Sequence, residues 1–324
     1  TADKKISRLT SDGGTHRVDV DPTGRFMMDR HSSIDLPSRL DLLDAQGTLV
    51  RTLSSTTIDR YRFLNVQKPL LTTIQARDGM PLQTMVIAPP GVDMKSPDKR
   101  YPVLFHVYGG PQAPTVADRF QDGNYQWHQM LAQQGCFVVL CDNRASRGPG
   151  GGDSWAIHRN LGEVELRDLE DAVKWVHQQP WGDPERIGVW GWSYGGYFTA
   201  YALTHSKLFR AGIAGAPVTD WRNYDAVYTE RYMDTPQNNP EGYKTSSAVE
   251  AAANLHGRLL LIHGEIDDNV HMANTLQMAY ALQKASKPFD LMIYPKNRHG
   301  VVDAQQRRHM YQMMTDFIQN HLMK

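Results

Sequence analysis

The stretch Gly191-Trp192-Ser193-Tyr194-Gly195, followed at once by Gly196, constrains this chain more than any other. A serine between close glycines suits a sharp strand-to-helix turn that lifts the hydroxyl clear of the backbone. The flanks fit. Arg186-Ile187-Gly188-Val189-Trp190 reads as a short buried strand, and Phe198, Tyr201 and Ala202 recur at helical spacing after it. Strand, turn and helix in that order make Ser193 a candidate nucleophile. An ordinary glycine-rich turn would not need both flanks.

The rest of the chain alternates around this point. Leu70–Ala76 and Leu82–Ala88 read as strands about a turn at Arg77-Asp78-Gly79. Val103–Tyr108 and Phe137–Leu140 read as buried strands, with a helix expected near 118–134 between them. Leu166, Leu169, Val173 and Val176 mark one helix face, with Pro180 just past its end. Strands near 211–215, 258–263 and 289–294 follow the serine, and helices are expected over roughly 271–286 and 303–322. Such alternation predicts an α/β chain with a mostly parallel sheet covered on both faces. With the serine turn, this is the α/β-hydrolase pattern, here with an antiparallel start.

Residues 1–57 read differently. Thr15–Val20, Arg25–Arg30, Ser38–Leu43 and Thr48–Leu53 are short strand-like runs. Asp21-Pro22-Thr23-Gly24 has the residues of a type I turn, and Asp44-Ala45-Gln46-Gly47 repeats the Asp and Gly placement. A four-stranded meander cannot bury both faces alone, so this piece resembles one blade of a β-propeller or a sheet packed on something else. The expected division is a β-meander over 1–57 and an α/β-hydrolase catalytic domain over 58–324.

Composition excludes some partners. Formal net charge is zero, which gives no footprint for nucleic acid or an anionic membrane. Apolar runs such as Cys136–Cys141 and Leu259–Ile262 are too short to span a membrane. Cys136 and Cys141 lie in one strand-like run and point to opposite faces, so no disulfide is expected between them. The first residues, Thr1-Ala2-Asp3-Lys4-Lys5, carry no Met and no apolar signal core, as expected of a processed protein or an excised fragment. The compartment, cytoplasmic or exported, is left open, and so is a homo-oligomer.

A serine needs a base to take its proton. In the α/β-hydrolase order an acid and then a histidine follow the serine, each on a loop after a strand. Leu259–His263 is followed by Gly264-Glu265-Ile266-Asp267-Asp268-Asn269, and Leu291–Tyr294 by Pro295-Lys296-Asn297-Arg298-His299-Gly300. The order is Ser193, then Asp267 or Asp268, then His299. Sequence does not choose between the adjacent aspartates. His263, at a strand end, fits a structural role. A His263/Glu265/His271 metal trio has no HExxH pattern behind it. The Gly148–Gly152 run lacks the Lys-Ser/Thr of a phosphate loop and reads as a loop beside the site. An oxyanion needs fixed donors. The N–H of Tyr194 is one. The other is expected from Tyr108-Gly109-Gly110-Pro111, as a backbone N–H or the Tyr108 hydroxyl.

Four stretches together resemble the dipeptidyl peptidase IV branch of the prolyl oligopeptidase family of serine peptidases. They are the serine turn, Val107-Tyr108-Gly109-Gly110-Pro111, Val227–Met233 and His263–His271. The resemblance implies Ser193 as nucleophile, His299 as base, Asp267 as acid and the Tyr108 hydroxyl in the oxyanion hole. It implies a proline pocket of Tyr194, Val218, Trp221, Tyr224, Tyr228 and Val270, with Asn269 holding a substrate carbonyl. Asp267-Asp268-Asn269 stands where the endopeptidase branch has Asp-Asp-Arg. The implied activity is release of N-terminal dipeptides after proline or alanine through an acyl-enzyme, with no metal or organic cofactor. Trp221, Tyr224 and Tyr228 would also suit one core helical face, so their spacing does not discriminate. The family holds the substrate's amine with adjacent glutamates on a propeller, and this chain has no Glu-Glu pair. The expectation is the catalytic part of a longer enzyme, or a trimmed relative. A carboxylesterase or acyl-peptide hydrolase on the same fold, and an inactive interaction module, are the alternatives.

Overall fold

The computed structural model describes residues 6–10, 12–56, 64–120, 124–146 and 152–324. The first five residues, the expected boundary at 57/58 and all of the Gly148–Gly152 run except Gly152 lie outside them. The chain divides into two compact units, residues 1–70 with 117–129, and residues 71–116 with 130–324.

The first unit is an antiparallel meander of β1 (Thr15–Val20), β2 (Phe26–Ser32), β3 (Arg39–Asp44) and β4 (Leu49–Ser55) in the order β1-β2-β3-β4. Aspartates build its turns. Asp21 accepts from the N–H groups of Thr23 and Phe26 at 2.8 and 2.6 Å, and Asp44 Oδ1 accepts from those of Gln46 and Thr48. The helix expected near 118–134 is shorter, with α1 over Asn124–Gln133. Asp118 instead serves the meander: its carbonyl accepts from Thr15 Oγ1 and its carboxylate from the Ile34 N–H. Period-two burial along β2 puts Met27, Asp29 and His31 on the covered face.

The second unit holds an eight-stranded sheet in the order β12-β11-β10-β9-β7-β8-β6-β5. β5 (Leu70–Gln75) and β6 (Pro81–Ile87) flank the turn at Asp78-Gly79, and β6 pairs antiparallel with β8 (Phe137–Cys141). From β8 onward the pairing is parallel, through β7 (Tyr101–His106), β9 (Gly182–Trp192), β10 (Ala211–Gly215), β11 (Arg258–Gly264) and β12 (Asp290–Tyr294). β10 is buried at every position, as a strand covered on both faces must be. β9 is longer than its apolar run, because the N–H of Tyr101 bonds the Trp181 carbonyl and extends the pairing back to Gly182. The helices are α2 (Glu163–His177), α3 (Tyr194–His205), α4 (Ala226–Met233), α5 (Pro240–Thr245), α6 (Ala273–Lys284) and α7 (Ala304–Ile318). α7 stops short of its expected end, and a wider turn over Gln319–Met323 completes it. α4 and α5 are short and capped by Asp225 and Asn239, with no apolar period long enough to announce them.

Candidate active site

Ser193 stands between the end of β9 and the start of α3 with φ 62° and ψ −119°. That left-handed backbone costs a non-glycine residue roughly 1–3 kcal/mol, and the surroundings must enforce it. They do so by close approach. A Cβ on Gly191 would lie 2.3 Å from the Val107 carbonyl oxygen, and one on Gly195 2.2 Å from the same atom. One on Gly196 would lie 2.2 Å from the Gly215 carbonyl oxygen. The Ser193 N–H donates to that Gly215 carbonyl at 2.8 Å, and the Ser193 carbonyl accepts from Tyr197 N at 3.0 Å. The elbow is locked between β7 and β10.

The strand ends deliver the other groups. After β11 the carboxylate of Asp267 is buried. Its Oδ1 accepts from the N–H groups of Asn269 and Val270, both at 2.9 Å. Its Oδ2 lies 2.8 Å from His299 Nδ1, on the loop after β12. Burial alone would raise the Asp267 carboxyl. Hydrogen bonds from His263, His299 and the Asn269 N–H reverse this and hold it well below the usual carboxylate range. Asp268 is exposed and pairs with Arg298, so the structure puts Asp267 and not its neighbour on the histidine. The His299 carbonyl accepts from Trp192 Nε1 at 2.7 Å, which ties the histidine loop to the elbow.

His263 is fully buried, with Nδ1 at 2.7 Å from Thr275 Oγ1 and Nε2 at 2.8 Å from the Val270 carbonyl. Both ring nitrogens are engaged, which suits the structural role and not a base. The other donors of the conceivable metal trio are also engaged. Glu265 accepts from Lys296 N, and His271 Nδ1 from Ala273 N.

The Tyr108 hydroxyl has Ser193 as its hydrogen-bond partner; burial raises this phenol and that bond pulls it back. Its loop is anchored from below by Asn143, whose Nδ2 donates to the Gly109 carbonyl at 3.0 Å while its Oδ1 accepts from Ser146 N and Oγ. Gly109 has φ 80°, and a Cβ there would meet Phe198 Cδ1 at 2.7 Å. Tyr108 and Tyr194 face each other with ring centroids 6.0 Å apart.

The residues expected to line a pocket also gather. Trp221 centres 5.4 Å from Tyr194, 5.9 Å from Tyr224 and 6.1 Å from Tyr228. Val218, Trp221 and Val270 are buried, whereas Tyr224 and Tyr228 are half-buried. They are not one helical face. Trp221 opens a single 3-10 turn, Tyr224 ends it, and Asp225 caps α4, which carries Tyr228. The Tyr224 hydroxyl donates to Asn269 Oδ1 at 3.1 Å.

Sequence reading missed two supports. Tyr194 donates its hydroxyl to Glu165 Oε1 at 2.7 Å, and Glu165 Oε2 accepts from the Gly162 N–H at 3.0 Å. Glu165 is wholly buried, and that burial pushes its carboxyl up to about 7 against those two bonds. Trp192, between the first glycine and the serine of the elbow, is the other. The only signal was an acid beside the apolar face of α2 and an aromatic in the turn. Neither names its partner.

Residues 124–324 match the model of the prolyl oligopeptidase family. The chain belongs to that family. It is 41% identical over 229 residues to a probable dipeptidyl-aminopeptidase B of Coccidioides posadasii, covering 69% of this chain and 25% of that one. It is 33% identical over 330 residues to dipeptidyl peptidase 8 of Homo sapiens, covering 98% of this chain and 36% of that one. The solved structure of Porphyromonas gingivalis dipeptidyl peptidase 4 superposes with a TM-score of 0.94 at 34% identity, over 99% of this chain and 45% of that one. This family member therefore has the α/β-hydrolase fold preceded by an antiparallel sheet, and spans about a quarter to a third of the curated relatives' length.

Proposed function

We propose that this chain is the catalytic part of a serine exopeptidase that releases N-terminal Xaa-Pro or Xaa-Ala dipeptides. The observation that carries the reading is the 2.8 Å contact of His299 Nδ1 with Asp267 Oδ2, in a unit that also holds Ser193 at φ 62°. Ser193 Oγ attacks the scissile carbonyl carbon and its proton passes to His299 Nε2. Asp267 keeps the imidazole oriented and balances the charge it gains. The oxyanion accepts from the Tyr194 N–H and the Tyr108 hydroxyl. Collapse breaks the C–N bond, the leaving amine takes the proton from His299, and water then hydrolyses the acyl-enzyme. The pyrrolidine ring of proline is compact and has no N–H to satisfy. Rigid aromatic rings with bonded polar tips suit it, and Tyr194, Trp221, Tyr224 and Tyr228 with Val218 and Val270 form that slot. Asn269 holds a substrate carbonyl.

Comparing kcat/KM for a Gly-Pro anilide with that for a simple acetate ester tests the substrate class. The anilide should be preferred. Turnover of the ester alone would make the chain an esterase, and failure of a fluorophosphonate to label Ser193 would make it an inactive module. With no Glu-Glu pair to bind the substrate's ammonium, free and N-acetylated Gly-Pro anilides should be cleaved at similar, low rates.

A further inference from the structure

We infer that the covered face of the N-terminal sheet binds a first-row divalent transition-metal ion of the Zn²⁺ class, with His16, Asp29 and His31 as ligands. The register builds the cluster. His16 pairs across β1 and β2 with His31, and Asp29 pairs across β2 and β3 with Asp41. Asp29 and His31 are two apart on one strand, so all four side chains leave the same face. One ligand atom from each of His16, Asp29 and His31 lies within 4.8 Å of the others. A tetrahedral zinc ion with bonds of 2.0–2.2 Å sets its ligand atoms roughly 3.3 Å apart, so the two imidazoles, which stack at 13° with centroids 4.9 Å apart, must turn to bring their nitrogens onto one ion. Two imidazoles with a carboxylate suit zinc or its neighbours, whereas calcium and magnesium prefer oxygen alone.

Two further observations point to a cation. The first is at His16. Its Nε2 lies 3.2 Å from the Asp12 carbonyl and its Nδ1 2.7 Å from Asp29 Oδ2, so both nitrogens face acceptors. A neutral imidazole has one N–H. Given to Asp12, it leaves the Nδ1 lone pair against a carboxylate oxygen, and a cation held by both atoms, with the pair opened from 2.7 Å to roughly 3.3 Å, removes the conflict. An imidazole that donates one nitrogen to a backbone carbonyl and ligates with the other is the usual metal-bound arrangement. The second is at His31, which is 2% exposed. Neither of its ring nitrogens has a hydrogen-bond partner among the described residues, nor have Asp29 Oδ1 and Asp41 Oδ1. Its Nδ1 stands 3.9 Å from both Asp29 Oδ2 and Asp41 Oδ2. Buried polar atoms are seldom left so. Arg39 neutralises Asp41 through a 2.7 Å contact, which leaves Asp29 for the metal. The ion would pin β1 to β2 in a sheet with little core of its own.

The test uses the whole chain, stripped with a chelator, dialysed and titrated with Zn²⁺ by calorimetry, with Co²⁺ spectra alongside. One tight Zn²⁺ per chain, a higher melting temperature with zinc, and strong visible bands of four-coordinate Co²⁺ are expected. His31→Gln and Asp29→Asn should each weaken zinc binding at least tenfold and abolish the cobalt bands, while fluorophosphonate labelling at Ser193 persists. His16→Gln, at the more exposed ligand, serves if the buried variants do not fold. Absence of tight zinc binding in the wild type overturns the proposal. Equal zinc binding by wild type and His16→Gln overturns it too, because the metal is then held by other histidines.

Discussion

The charged side and the aromatic side of the catalytic unit are held in different ways. On the charged side, Asp267 and His299 stand on short loops after β11 and β12, and backbone N–H groups at 2.9 Å orient the carboxylate. On the aromatic side, Tyr194, Trp221 and Tyr228 come from three elements and are set by ring contacts and by one buried acid, Glu165. Each side contains a buried carboxyl, and the two respond oppositely. Asp267 receives enough donors to stay ionised, whereas Glu165, with fewer, is pushed up to about 7. Burial raises both carboxyls, more deeply at Glu165, and the donors around Asp267 outweigh it. The charged side sets an ionised carboxylate against a histidine. The aromatic side is built to hold a shape.

The sharpest test of this division removes the proton machinery. Ser193→Ala or His299→Ala should lower kcat roughly 10⁴- to 10⁶-fold with little change in substrate binding, because such groups act as a unit. Steady-state kinetics on Gly-Pro anilide reads this, and more than a tenth of wild-type activity in either variant would remove both from the mechanism. Asp267→Asn should cost about 10⁴-fold, because it disturbs the histidine's tautomer. Asp268→Asn should cost less than about twofold, since a surface ion pair contributes little. The reverse ranking would move the acid to Asp268.

The two sides meet at Tyr108. Tyr108→Phe keeps the ring that packs on Tyr194 and removes the hydroxyl on Ser193. Loss of one oxyanion donor should lower kcat by roughly 10²–10³, about 2.7–4 kcal/mol. An unchanged kcat in a folded variant would place the second donor at a Gly109 or Gly110 N–H.

The same division governs what could be read from sequence. The charged side was legible because its residues follow strands in a fixed chain order, Ser193, the Asp267-Asp268 pair, His299. The choice between the aspartates was not, because it depends on which one turns inward over the Asn269 and Val270 N–H groups. The parallel sheet was legible from apolar runs such as Leu259–Ile262. The path through α4 and α5 was not, because side-chain caps at Asp225 and Asn239 set it and no long apolar period does. Glu165 and Tyr194 are 29 apart in the chain, and the buried bond between them has no local signature.

The aromatic side should reveal itself in stability more than in rate. Glu165 keeps its proton to about 7 in the folded chain and to its ordinary 4.5 when unfolded. Between those values the folded state binds more protons, so stability falls as pH rises through that window and is flat above it. The full effect is about 3 kcal/mol. Glu165→Gln should abolish that slope, so the variant should gain on the wild type between pH 5 and pH 8 in denaturant unfolding. Asp267 gives the opposite slope at lower pH: its stabilisation is present above its unfolded value near 4 and is lost on acidification. If the Glu165→Gln difference is the same at pH 5 and pH 8, then Glu165 is ionised in the folded chain, and the contrast between the two carboxyls fails.

A smaller loss of rate than at Tyr108 is expected at Trp192, which belongs to both sides. Its ring fills the space beside Gly215, where a Cβ would lie 2.0 Å from Trp192 Cε3. Its Nε1–H holds the His299 carbonyl. Trp192→Phe keeps an aromatic ring there and removes the donor. A hydrogen bond of this kind contributes about 1 kcal/mol net, so kcat should fall roughly fivefold. The fall is small because the histidine loop has other anchors. Asp267 holds the imidazole, and Asn297 holds the loop backbone through Pro295 O and Val302 N. The substitution changes where the base stands and not its neighbours, so KM and the pH profile should stay as in the wild type. A loss of a hundredfold or more would mean that the indole tether, and not the Asp267 contact, sets the position of His299. The charged side would then depend on side-chain packing as much as the aromatic side does.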